Sequence, residues 1–128
     1  MRILICDDEG IVQQAIRFMI QKSFGDEFEI ESAKNGRMAI ELAESFRPDI
    51  ILMDIQMPVM DGYTATAALR SLRRDDAKTA IILAMTANVF SDDVIKAEAS
   101  GMNGHISKPF DPDKLYAMIA ASCHKKRG

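Results

Sequence analysis

Polar side chains able to do chemistry follow directly on apolar runs in this chain. Asp7 and Asp8 follow Ile3-Leu4-Ile5-Cys6, and Asp54 follows Ile50-Ile51-Leu52-Met53. Thr86 closes the run from Ile81 to Met85, and Lys108 follows the short segment His105 to Ser107. Gathered in one place, they make three carboxylates, a hydroxyl and an ammonium. Two carboxylates roughly 5 Å apart at an effective dielectric near 20 repel by about 3 kcal/mol. A hard divalent cation removes that cost, and carboxylates with water suit magnesium. The same parts fit phosphoryl transfer, which rests on positioning and charge neutralisation. A carboxylate can itself be the nucleophile and form an aspartyl phosphate. Asp54 stands best for that role, at the tip of the most apolar run.

A sheet is what must position these groups. Ile3 to Cys6 is a short continuous apolar run, as a buried parallel strand would be. Ile11, Val12, Ala15, Ile16, Met19 and Ile20 recur at helical spacing, and Phe28-Glu29-Ile30-Glu31 alternates like a half-exposed edge strand. Met38, Ala39, Leu42, Ala43 and Phe46 mark a second helix that Pro48 ends, before the buried strand Ile50 to Met53. Ala65, Ala68, Leu69 and Leu72 mark a third helix, and Ile81 to Met85 a fourth strand. A helix with a weak apolar stripe runs from about Ser91 to Ala99, ahead of the strand His105 to Ser107. Asp111 and Pro112 supply an N-cap and first-turn proline for a last helix with Leu115, Met118 and Ile119 on its apolar face. Five strand–helix units predict an α/β fold, a doubly wound parallel sheet with helices on both faces. Ligands of such sheets bind outside the carboxyl ends of the strands, where the strand order switches. Order 2-1-3-4-5 makes the first and third strands neighbours. Asp7 and Asp8 then lie beside Asp54, with Thr86 and Lys108 on the other flank.

Composition narrows the alternatives. A chain of 128 residues holds one good core. The net charge of −3 gives no electrostatic footprint for nucleic acid or membrane, which argues against direct contact with either. Lys125, Lys126 and Arg127 form the only basic run, a helix-end or linker feature in a tail over 125–128 after a domain of 1–124. Cys6 and Cys123 read as reduced thiols, without zinc spacing or a disulfide framework. No apolar run reaches membrane-spanning length, and Met1 starts on a strand-like segment without a signal peptide, so a cytoplasmic protein is expected. No glycine-rich phosphate loop with its lysine is present, which disfavours a nucleotide triphosphatase. Gly36 and Gly62 read as shaping helix starts. Most of the nine methionines read as core filler, with Met57 and Met60 the two that could be exposed contacts.

The sequences Ile-Leu-Ile-Cys-Asp-Asp-Glu at 3–9, Asp-Ile-Ile-Leu-Met-Asp-Ile-Gln-Met-Pro-Val-Met-Asp-Gly at 49–62, Ala-Met-Thr-Ala at 84–87 and Lys-Pro-Phe at 108–110 resemble receiver domains of two-component response regulators. The segment Gly101 to Pro109 looks more like the receivers of hybrid sensor kinases and phosphorelays. The resemblance implies a flavodoxin-like (βα)5 fold and a phosphoryl group taken onto Asp54 from a histidine kinase or histidine phosphotransfer protein. It implies magnesium held directly by Asp8 and Asp54, by the main-chain carbonyl of Gln56, and by Asp7 largely through water. Thr86 resembles the switch hydroxyl and Lys108 the lysine that pairs with the phosphoryl group. Met57-Pro58 and Asp61-Gly62 resemble the family's loop after the phosphosite, and Lys108-Pro109 its cis peptide. The position three before Lys108 often holds Tyr or Phe; here it is His105, a departure that predicts a smaller, pH-sensitive switch. A downstream effector or output domain is then expected on the face of the fourth helix, fifth strand and fifth helix, around Val94, Ile95, His105 and Tyr116.

Taken singly, each residue has a plainer reading. Asp7 and Asp8 could be solvated loop acids, Asp54 a cap, Thr86 a strand-end hydroxyl and Lys108 a turn lysine. Their joint placement at strand ends favours the functional one. Two other functions share the crevice. A magnesium-dependent phosphohydrolase with an aspartyl intermediate usually needs a general acid two residues after the nucleophile, where this chain has Gln56. A pseudo-receiver, an interaction module that takes no phosphoryl group, would not need the full set of acids, hydroxyl and lysine.

Overall fold

The computed structural model describes residues 1–57, 59–72, 79–86, 91–108 and 111–127, apart from the side chains of 91–94 and 127. The elements run β1 (Arg2–Cys6), α1 (Gly10–Phe24), β2 (Glu29–Ala33), α2 (Gly36–Phe46), β3 (Ile50–Asp54) and α3 (Gly62–Arg70). They continue with β4 (Ile81–Thr86), α4 (Ser91–Ser100), β5 (Gly104–Ser107) and α5 (Pro112–Arg127). The sheet has the order β2-β1-β3-β4-β5 and every pairing is parallel.

Burial explains the strand types. Every residue of β3 and β4 is buried, because the central strands are covered on both faces. Edge strand β2 alternates exposed and half-buried residues up to Ala33. On one face Leu4, Cys6, Ile51, Met53, Ile82 and Ala84 pack with Ala39, Ala43, Ala65, Leu69 and Ala97 of α2, α3 and α4. On the other, Ile3, Ile5, Ile50, Leu52, Leu83 and Met85 pack with Ile16 and Ile20 of α1 and Leu115, Ile119 and Cys123 of α5. The doubly wound arrangement expected from the strand–helix alternation is therefore present.

Local chemistry sets the helix ends. Asn35 Oδ1 accepts from Met38 N (2.9 Å), Asp61 Oδ1 from Thr64 N (2.8 Å) and Asp111 Oδ1 from Asp113 N (3.0 Å). Gly62 is required by close approach, since a Cβ there would lie 2.4 Å from Asp54 O. Gly36 likewise sits against Met60 O, and its N–H donates to that oxygen (3.2 Å). Both glycines thus bring the chain after β3 close to its neighbours.

Some sequence expectations are corrected. Ile11 is 82% exposed and lies off the buried stripe, which runs through Val12, Ile16 and Ile20 at four-residue steps. The third helix stops at Arg70, and Leu72 packs on the core from beyond its end. Met57 is buried and Met60 packs partly buried against the same core, so neither is an exposed contact. Lys125 and Lys126 lie at the end of α5, the helix-end alternative for this run, and Lys126 Nζ donates to Thr79 O (3.3 Å). Among the described residues, no helix is long and apolar enough to cross a membrane.

Candidate functional site

The carboxyl ends of β1, β3, β4 and β5 bring the candidate residues to one end of the sheet. Asp7 follows β1, fully buried, with its N–H donating to Ala33 O (3.0 Å). Asp54 ends β3 and is 6% exposed. Asp54 pairs in register with Met85, so Thr86 stands one step further along β4, nearly buried. Lys108 N donates to Thr86 O (2.7 Å), which fixes the start of the segment after β5.

Lys108 joins the acids. Its Nζ donates to Asp7 Oδ2 at 2.8 Å and lies 3.3 Å from Asp54 Oδ2. Asp7 Oδ1 accepts from Glu9 N (2.9 Å), and Asp54 Oδ1 from Gln56 N (3.2 Å). Asp8 is exposed, and oxygens of Asp7, Asp8 and Glu9 all lie within 4.8 Å of one another. Asp8 and the exposed Gln56 also line a groove of about 440 Å³ with Ile55, Met57, Asp61, Tyr63 and Lys96.

Charge is unbalanced here. Burial, then the charge of Asp7, raises the Asp54 carboxyl above its ordinary range, against the opposing pull of Lys108 and the Gln56 N–H. Burial alone would lower the Lys108 ammonium. The hydrogen bond to Asp7 and the charges of Asp54 and Asp7 outweigh it, and the net shift is upward. One lysine cannot neutralise this many acids. The donor set is all hard oxygen, the buried Asp7 with the exposed Asp8 and Glu9 beside it, and that fits magnesium with part of its water retained.

The structure thus brings together Asp7, Asp54 and Lys108, places Asp8 and Gln56 on the adjoining groove, and sets Thr86 at its strand end. His105 is half-buried within β5, opposite Ala84, and so stands back from the strand ends. The expected cis peptide involves Pro109, and Pro58, Ala87 and Phe110 of the motifs also lie outside the described residues, as does the side chain of Val94. Sequence reasoning missed two groups. Glu9 adds a third acid to the first loop. Gln13 Nε2 donates to Asp7 O (2.5 Å) and Ala33 O (3.0 Å). The available signal for Gln13 was a polar residue three positions before the fully buried Ile16, on the packed side of α1.

Comparison with known proteins decides the family, because the model described as "Response regulator receiver domain" matches residues 3–120. The chain belongs to the response regulator receiver domains. This receiver is 39% identical over 119 residues to regulatory protein AtoC of Escherichia coli, covering 92% of this chain and 24% of that protein. It is 32% identical to hybrid signal transduction histidine kinase I of Dictyostelium discoideum, covering 92% of this chain and 7% of the kinase. The chain therefore spans only a small part of these relatives. Among solved structures it resembles Vibrio cholerae chemotaxis protein CheY4, with a TM-score of 0.85, 29% identity and coverage of 94% of this chain and 97% of the other. The receiver domain of sensor histidine kinase PA1611 from Pseudomonas aeruginosa, described with magnesium coordinated in its active site cleft, gives a TM-score of 0.80 at 33% identity. That match covers 92% of this chain and 93% of the other.

Proposed function

We propose that this receiver takes a phosphoryl group onto Asp54 from a phosphohistidine of a histidine kinase or histidine phosphotransfer protein, and that Asp54 is its phosphorylation site. An Asp54 carboxylate oxygen attacks phosphorus, the donor's P–N bond breaks, and the imidazole leaves with the bonding pair. The observation that carries this reading is Lys108 Nζ spanning Asp7 (2.8 Å) and Asp54 (3.3 Å) at adjacent strand ends. In this reading the same ammonium neutralises phosphoryl oxygens, and Thr86, at the next strand end, donates to them. Asp8, Asp54 and the Gln56 carbonyl would hold magnesium, with Asp7 acting largely through water. Bound there, the ion supplies charge neutralisation of the acids and the incoming oxygens.

The output is a change of surface rather than a released product. Phosphorylation adds negative charge and acceptor oxygens beside Thr86 and Lys108, so drawing Thr86 inward alters the face of α4, β5 and α5 around Ile95, His105 and Tyr116. An effector or output domain reads that face. Incubation with magnesium and acetyl phosphate tests the reading. Labile incorporation that stops at one equivalent supports it, whereas sustained phosphate release points to a phosphohydrolase and no change to a pseudo-receiver. Beryllofluoride, a phosphoryl mimic, should shift amide resonances across α4, β5 and α5. Shifts confined to the loops around Asp8, Asp54 and Lys108 would remove the readout while leaving the acceptor role.

A further inference from the structure

Helix α1 begins without a side-chain cap at Glu9, yet its first turn is tied to the site by another route. Gln13, half-buried in that turn, uses both amide hydrogens on main-chain carbonyls, Asp7 O at 2.5 Å and Ala33 O at 3.0 Å. These oxygens lie just where the β1–β2 ladder ends, since Cys6 and Ala33 are its last pair. Among the described residues no strand N–H meets the Asp7 carbonyl, Gln13 does, and burial makes an unmet carbonyl costly.

The Asp7 carbonyl belongs to the peptide that joins Asp7 to Asp8. That plane determines the direction in which Asp8 leaves the strand end. The Asp7 carboxylate is separately held by Lys108 and Glu9 N, so its side chain is already fixed. Asp8 is exposed, and its backbone is held on one side by Glu9 N on Asp7 Oδ1 and on the other by Gln13 on the shared peptide.

We propose that Gln13 is a positioning residue for the acid pair, holding the Asp7–Asp8 peptide in the orientation that sets the magnesium affinity of the crevice. This rests on the metal reading given above. Partners that orient metal ligands typically change affinity by about 10–100-fold when removed. Gln13 acts one step further back, through the backbone, so a weakening of about tenfold is expected.

The test titrates magnesium into the full 128-residue chain and follows the amide resonances of Asp8 and Glu9. Gln13→Met keeps the length and removes the donors, and it should weaken binding about tenfold and shift the Asp8 amide even without metal. Gln13→Arg restores donors of similar reach and should recover most of the affinity. Arg17→Met, which removes the bond to Ser32 Oγ one turn further along α1 (3.3 Å), should lower stability without changing affinity. If Gln13→Met binds magnesium as the wild type does, or Arg17→Met weakens it equally, the proposal is overturned. Should Gln13→Met fail to fold, Gln13→Arg with affinity reduced as far as in Gln13→Ala would overturn it as well. A wild type that binds no magnesium would instead remove the metal reading itself.

Discussion

Helices α1 and α4 both start from the carboxyl end of the sheet, and they are held in different ways. Helix α1 buries Ile16 and Ile20 completely and is tied to the acid pair through Gln13. Of the α4 side chains from Ile95 to Ser100, Ala97 alone is buried, and Ile95 is 62% exposed. Polar contacts hold its exit. Arg70 donates to Gly101 O from Nε (3.0 Å) and Nη2 (2.8 Å), and to Ala80 O from Nη1 (2.8 Å). Its Nη2 also reaches Asn103 Oδ1 (2.7 Å), which accepts from Ile82 N (2.8 Å). Among the described side chains, α1 is held by the burial of Ile16 and Ile20, and α4 by Ala97 and the polar contacts at its exit. A switch can therefore reorganise the second at less cost than the first.

Truncating one apolar residue in each helix should separate the two modes of attachment. Ile16→Ala should lose about 2–5 kcal/mol in urea unfolding, because the side chain is fully enclosed. Ile95→Ala should stay within about 0.5 kcal/mol. Equal losses would mean that α4 is anchored by burial after all.

The next largest effect is expected at the exit of α4. Arg70→Met keeps much of the stem and leaves the Gly101 and Ala80 carbonyls without their donors, at a cost of about 1–3 kcal/mol. Hydrogen exchange should quicken in α4 more than in α1. A uniform change across both helices would show that Arg70 acts on the whole fold and not on this hinge.

Smaller effects concern pH in the metal-free chain. Asp54 is raised above its ordinary value of 3.8, so between that value and its folded one the native state binds more protons than the unfolded state. Stability should fall as pH rises through this window, and Asp54→Asn should flatten the fall. Lys108 works at the other end of the scale. Its folded value is raised above 10.5, so its contribution is complete below 10.5 and lost as pH rises through the folded value. Thermal unfolding across pH checks both signs. A metal-free stability that climbs from pH 4 upward in the wild type and not in Asp54→Asn would reverse the assignment for Asp54.

The strand ends were readable because each apolar run stops abruptly at a polar residue, and the parallel order then brings Asp7, Asp54 and Lys108 together. Ile11 faces solvent because seven apolar residues within ten span a wider arc than one buried stripe can hold. Gln13 and Arg70 left no comparable mark. Apart from Asn103 Oδ1, their partners are main-chain carbonyls of Asp7, Ala33, Ala80 and Gly101, groups every residue carries, made neighbours only by the fold. Met57 was ambiguous for a related reason, since a loop methionine shows no periodicity that would reveal which way it faces.

Intact-mass spectrometry after exposure to acetyl phosphate and magnesium shows whether Asp54 is the acceptor in this crevice. The wild type should gain the mass of a single phosphoryl group and Asp54→Ala none. A phosphoryl group still carried by folded Asp54→Ala would contradict that role.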